Sequence, residues 1–116
     1  MASFNQPSVI GVIGGSGVYD IDGLINKRWV SFSSPFGNPS DELLFGELNG
    51  QQLVFLPRHG RGHKIPPNEI NFRANIDVLK RAGVTDVMSV SAVGSLREHL
   101  KPGMFVIVDQ FIDCTY

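Results

Sequence analysis

The stretch LLFGELNGQQLVFL, residues 43–56, constrains this chain more than any other. Two apolar runs flank Asn49-Gly50, a dipeptide that accommodates positive φ at both central positions of a turn. The pattern predicts an antiparallel hairpin with a two-residue turn, its second strand ending at Pro57. Directly after Pro57 comes a concentrated run of positive charge. RHGRGHK, residues 58–64, contains Arg58, Arg61 and Lys64 with His59 and His63 between them, and no acid.

That charge is local. The chain as a whole has 10 basic and 11 acidic residues, a formal net charge of −1. No broad electrostatic footprint for nucleic acid or an anionic membrane results, so the loop invites a small anion instead. The 116 residues, 42% hydrophobic and 18% charged, suit one modest core and describe a folded soluble protein. A single cysteine, Cys114, cannot form an internal disulfide and reads as a small buried hydrophobe. MASFNQPSV at the start lacks a signal-peptide pattern, and no apolar segment approaches the ~20 residues that span a bilayer. A cytoplasmic protein with neither nucleic acid nor membrane as partner is expected.

Along the chain, VIGVI (9–13) reads as a buried strand that breaks into GGSG (14–17), and RWVSFS (28–33) alternates like a second strand. Pro66-Pro67 closes the basic loop, and Asn68 is the expected cap of the next helix. In EINFRANIDVLKRAG, Ile70, Ala74, Val78 and Ala82 recur at i+4 steps, with Phe72, Ile76 and Leu79 alongside. This spacing predicts an amphipathic helix of about four turns. Lys80 and Arg81 lie at its negative end and Gly83 stops it. VTDVMSV (84–90) is the next strand, running into SAVGS (91–95), and MFVIVDQFI (104–112) is expected as a last one. The order implies an α/β domain with a mixed, twisted β-sheet flanked by helices. The sequence stops while still strongly apolar, which suggests that residues 1–116 are a truncated or cleaved chain.

Three strand-like runs thus end in three candidate ligand loops: GGSG, RHGRGH and SAVGS. Open α/β sheets bind ligands outside their strand ends, so the loops are expected to converge. The glycines of GGSG let backbone N–H groups approach an anion, and Ser16 adds a hydroxyl. Arg58 offers planar forked donors, His59 a donor that can become charged, and Ser91 with the Ala92 amide completes the cradle. Each loop also has a plain reading, as a tight turn, a solvated basic loop or a small-residue turn. Rossmann glycine spacing fails, since counting from Gly15 and Gly17 the last position is Asp20, and no Gly-Lys-Ser/Thr of a P-loop occurs. His59 and His63 have the spacing of helical zinc ligands, but two glycines and three cations argue against a metal there. No metal or cofactor is expected. His99, after Glu98, reads as a surface residue.

Taken together, IGVIGGSGVYD, PFGNPSD, FLPRHGRGHKIPPNEINFRANI, SVSAVGSLRE and FVIVDQFID are far more specific than any one of them. In this order and at these separations they resemble the N-terminal portion of the methylthioadenosine phosphorylase branch of the purine nucleoside phosphorylase family with trimeric architecture. The resemblance covers essentially the whole chain, and the family's members continue beyond it, which implies an N-terminal fragment. It implies a phosphorylase fold, a homotrimer, and phosphate as a substrate with no cofactor. Carried over by motif, the phosphate ligands are Ser16, Arg58, His59, Ser91 and Ala92. Ser16 and Ser91 stand where threonine is often found, Asn68 where histidine is frequent and Phe72 where tyrosine is frequent. The implied reaction is phosphorolysis of the N-glycosidic bond of S-methyl-5′-thioadenosine, or of methylthioinosine or a purine nucleoside, by bound phosphate attacking C1′. The catalytic acid facing the base is expected beyond residue 116, and if the chain is cleaved its partner is the remainder of its own polypeptide.

Two other functions compete. Histidine phosphatases also carry an RHG triplet after a strand, with the histidine as phosphoryl acceptor, yet theirs follows the first strand. A fragment that no longer catalyses would act only as an interaction piece and would expose sheet edges and an apolar terminal strand.

Overall fold

The turn at Asn49-Gly50 forms as its residues demand, with φ of 50° and 82°, both in the left-handed region that this dipeptide tolerates. The computed structural model describes residues 7–15 and 17–114. Its elements are β1 (Val9–Gly14), β2 (Ile25–Val30), β3 (Leu43–Leu48), β4 (Gln51–Pro57), a short 3-10 turn (Pro67–Glu69), α1 (Phe72–Arg81) and β5 (Asp86–Ser89). They form a five-stranded mixed sheet in the order β2-β3-β4-β1-β5. β2, β3 and β4 are antiparallel neighbours, whereas β1 runs parallel to both β4 and β5.

Period-two alternation divides the apolar residues between two faces of the sheet. On one face Leu43, Val54 and Leu56 pack with Val78 and Leu79 of α1 and with Val84, joined by Val9, Ile13, Phe32 and Phe45. On the other, Val12, Leu44, Leu53 and Phe55 are covered by Leu24, Val18 and Tyr19 from the segment after β1. α1 connects β4 to β5 and returns to the sheet next to Gly11. A side chain on Gly11 would begin 2.8 Å from Val84 Cγ1, so this residue is small because Val84 must approach the strand closely.

Several expectations shift in detail. α1 spans 10 residues, just under three turns at about 3.6 residues each, not four. Its cap is Asn71, whose side chain accepts from the Ala74 amide at 3.0 Å, and not Asn68. Pro66-Pro67 opens a 3-10 turn, and Ile70 is then extended (φ −67°, ψ 127°), so helical geometry begins only after Asn71. Gly83, at φ 93°, does end the helix region. Phe72 and Ile76 face solvent, 57% and 52% exposed, so the buried stripe is narrower than the apolar one. β2 starts three residues before the expected 28–33 run and ends at Val30. Residues 104–112, expected as a strand, are exposed coil, because an apolar run becomes a strand only when a neighbour supplies ladder hydrogen bonds. The sheet accordingly ends at β5, α1 is the one α-helix among the described residues, and Cys114 is exposed, not buried. His99 is exposed. No helix among the described residues is long and apolar enough to cross a membrane.

One polar side chain lies inside the helix-facing core. Asn75, 2% exposed, accepts from the Ser40 amide at 2.8 Å and donates to Ser40 Oγ at 3.0 Å. Together with Asn71, which donates to the Phe36 carbonyl at 2.8 Å, it ties α1 to the loop before β3.

Leu79→Ala should lower the unfolding free energy of the chain by about 2–5 kcal/mol, whereas Ile76→Ala should change it by about 0.5 kcal/mol or less. Denaturant unfolding followed by circular dichroism measures both, and equal losses would refute the assigned faces of α1.

Candidate functional site

Parallel pairing aligns three chain exits. Ile13 lies opposite Leu56 on one side and Ser89 on the other, and Gly14 lies opposite Pro57. Gly15, residues 58–59 and residues 90–92 therefore leave the sheet at the same edge, with the exit after β1 in the middle. With strands about 4.8 Å apart, the outer two exits are separated by about 10 Å. That is the scale on which one small anion can touch all three.

Arg58 binds the exits together. Its amide donates to the Gly14 carbonyl at 2.9 Å, extending the ladder by one residue. Its guanidinium Nη1 donates to the Val90 carbonyl at 3.1 Å, and Nη2 lies 4.0 Å from where a side chain on Gly15 would begin. The guanidinium thus reaches across the end of β1 to the chain leaving β5, half-buried. The Val90 amide in turn donates to the Ile13 carbonyl at 2.8 Å. Ser91 and Ala92 come directly after Val90 as exposed coil. Ser16, the hydroxyl expected in the glycine turn, lies outside the described residues.

His59 belongs to a compact loop. Its carbonyl accepts from the Lys64 amide at 2.9 Å and the Ile65 amide at 3.0 Å, while its ring Nδ1 is 2.8 Å from the Ile65 carbonyl. The His63 ring stacks on it, centroids 4.3 Å apart and planes 28° from parallel. Gly60 at φ 74° and Gly62 at φ 81° provide the reversals that this closure needs. The two histidines are on a loop, not a helix, and no group of three or more His, Cys, Asp or Glu suited to a metal occurs among the described residues.

The loop's other arginine is engaged elsewhere. Arg61 donates from Nε to Asp41 Oδ2 at 3.0 Å, from Nη2 to Asp41 Oδ1 at 2.9 Å, and from its amide to Asp41 Oδ2 at 2.7 Å. Nη2 also reaches Glu42 Oε1 at 2.8 Å, and the guanidinium lies 3.8 Å over the Trp29 ring. The acids absent from the basic loop thus come from the loop before β3. Burial would raise the Asp41 carboxyl, but hydrogen bonds from the Arg61 side chain, and from the Arg61 and Glu42 amides, hold it below the usual carboxylate range. The same carboxylates hold the Arg61 proton more firmly. The sequence alone assigns no role to Asp41, Trp29 or Asn75. The signal available for Asn75 is a lone amide beside Ala74, Val78 and Leu79 in a helix.

Comparison with known proteins fixes the family. A sequence model described as the phosphorylase superfamily matches residues 9–116, which takes in the sheet and all three exits. The chain belongs to the phosphorylase superfamily. Among superfamily relatives, the S-methyl-5′-thioadenosine phosphorylase of Rhodospirillum rubrum is 64% identical over 114 residues, 98% of this chain and 38% of that protein. The protein of that name from Saccharolobus solfataricus is 52% identical over 115 residues, 99% of this chain and 43% of the relative. A crystal structure of methylthioadenosine phosphorylase from an antarctic soil metagenomic library superposes with a TM-score of 0.76 at 53% identity, over 83% of this chain and 33% of that one. Methylthioadenosine phosphorylase from Schistosoma mansoni in complex with tubercidin gives a TM-score of 0.72 at 46% identity, over 83% and 34%. This phosphorylase-superfamily chain therefore spans 33–43% of the length of those four proteins. Superfamily membership, with RHG after the fourth strand, sets the chain apart from the histidine phosphatases.

The Asp41 carboxyl titrates lower folded than unfolded, so its stabilisation is fully present above the unfolded value near pH 4 and is lost as pH falls through the folded one. Asp41→Asn should therefore be less stable than the unaltered chain at neutral pH, and the gap should shrink below roughly pH 4. Unfolding curves across pH measure this, and a gap independent of pH would refute the assignment.

Proposed function

We propose that this chain supplies the phosphate side of a nucleoside phosphorylase that cleaves S-methyl-5′-thioadenosine to adenine and 5-methylthioribose 1-phosphate. The observation that carries the reading is the Arg58 guanidinium, bonded to the Val90 carbonyl and adjoining Gly15. It stands where three loops rich in small residues leave parallel strands. In this reading phosphate is held by Arg58 and His59, by the Ser16 hydroxyl with the amides around it, and by Ser91 with the Ala92 amide. The names of the relatives support methylthioadenosine as the nucleoside. Phosphate is a substrate in this scheme, and no cofactor takes part.

The chemistry asked of these residues is positional and electrostatic. Phosphate is itself the nucleophile, so the site must hold it below C1′ with one oxygen free to attack as the bond to the purine breaks. Its negative charge stabilises the cationic ribosyl centre that develops. Arg58 orients the anion through forked donors and is itself fixed by the Val90 carbonyl, which limits reorganisation when phosphate binds. The groups that contact purine, ribose and the methylthio substituent, including the acid that assists departure of the base, are assigned to polypeptide outside this chain. A homotrimer and a cytoplasmic location complete the proposal.

Arg58→Ala removes a charge-assisted bond worth about 1.5–3 kcal/mol, so the phosphate concentration needed for half-maximal rate should rise roughly tenfold or more. Initial rates of adenine release against phosphate concentration, in the enzyme containing this chain, measure it. An unchanged phosphate dependence would remove Arg58 from the site, and adenine release without phosphate would indicate a hydrolase.

A further inference from the structure

Arg58 is carried on a tight turn. The Gly60 amide donates to the Pro57 carbonyl at 3.0 Å, so the turn starts on the last residue of β4 and closes at Gly60. The sheet fixes its near end, where the Arg58 amide donates to the Gly14 carbonyl at 2.9 Å. The chain before β3 fixes its far end. A side chain on Gly60, which has φ 74°, would begin 3.1 Å from the Ser40 carbonyl oxygen, so the turn packs directly on that chain. The next residue, Arg61, donates to Asp41 through its amide at 2.7 Å, Nε at 3.0 Å and Nη2 at 2.9 Å.

Asp41 is itself held in place. Its carboxylate also accepts from the Glu42 amide at 2.6 Å, and its side chain is only 12% exposed. Ser40, one residue earlier, is bonded through both its amide and its hydroxyl to the buried Asn75 of α1. The contact with Arg61 is thus anchored in the core. A lone exposed ion pair contributes little, but a carboxylate that takes a backbone amide and two guanidinium bonds together restricts where that backbone can lie.

We propose that Asp41 is a positioning residue for phosphate, holding the far end of the 57–60 turn through Arg61 so that the Arg58 guanidinium stays at the strand ends. The inference rests on the phosphate-site reading above and gives Arg61 and the PFGNPSD segment a task there without touching the anion. Charge alone would act with the opposite sign. A carboxylate beside an anion site repels the anion, so its removal should strengthen phosphate binding. A weaker site after loss of Asp41 therefore reports lost position.

Initial rates of adenine release in the full-length enzyme containing this chain test it. Asp41→Ala should raise the half-saturating phosphate concentration about tenfold and leave that of methylthioadenosine within about twofold. Loss of folded enzyme lowers the rate at every phosphate concentration and moves neither value, which separates positioning from stability. Asp41→Asn keeps one oxygen for the Arg61 amide and should raise the phosphate requirement only about threefold. Adding Arg61→Met to Asp41→Ala should change the phosphate requirement by less than about twofold, because both act through one contact. A phosphate requirement that is unchanged or lowered in Asp41→Ala, an equal rise for both substrates, or independent effects in the double variant would overturn the inference. The phosphate site stands in those cases if Arg58→Ala still raises the requirement, and falls with the inference if it does not. If Asp41→Ala does not fold, Asp41→Asn decides by the same criteria.

Discussion

β1 is hydrogen-bonded on both sides, to β4 and to β5, and runs parallel to each. Parallel neighbours share an exit edge, so three segments far apart in sequence leave the sheet within about 10 Å of one another. An antiparallel β1 would send its glycine turn to the opposite edge, away from Arg58. Everything proposed for the site depends on this pairing. The pairing in turn needs α1, because a connection between parallel strands must cross over the sheet. α1 bridges β4 to β5 while burying Val78 and Leu79 against Leu43, Val54 and Leu56.

The basic loop divides its charges between two tasks. Arg58 leaves the sheet first, and its guanidinium stays at the strand ends, held by the Val90 carbonyl. Three residues later Arg61 turns away to Asp41, Glu42 and the Trp29 ring. Asp41 adjoins Ser40, which Asn75 holds from the middle of α1. A continuous line of contacts therefore runs from the helix through residues 40 and 41 to the loop that contains His59. The loop's shape is thus set in part by Asp41 and Asn75, which lie outside the proposed anion site, as preorganised donors would require.

Short-range chemistry was legible in the sequence. Asn49-Gly50 could hardly lie anywhere but in a tight turn, and the glycine-terminated run 9–13 could be read as a strand from five residues. The i+4 spacing reads correctly, since Ile70, Ala74 and Val78 are all buried and Ala82 partly so. The reading fails where residues outside the local pattern decide, whether adjacent or distant. Asn68 has the chemistry of a cap, but Pro66-Pro67 imposes a 3-10 turn and passes the role to Asn71. The alternation in 28–33 suited a strand, yet pairing with β3 begins at Ile25, across an irregularity at Asn26 with φ 56°. Residues 104–112 have the composition of a strand and no ladder partner. At the site, the residue types in the three loops suggested convergence, but not that Arg61 would be neutralised by residues some twenty positions earlier.

The most direct test of the account is a crystal structure of the full chain grown with inorganic phosphate and no sulfate. Density for one tetrahedral anion within hydrogen-bonding distance of the Arg58 guanidinium, the amides of the glycine turn and the Ala92 amide is the predicted result. Phosphate seated instead on Arg61 or Lys64, with the ends of β1, β4 and β5 unliganded, would contradict it.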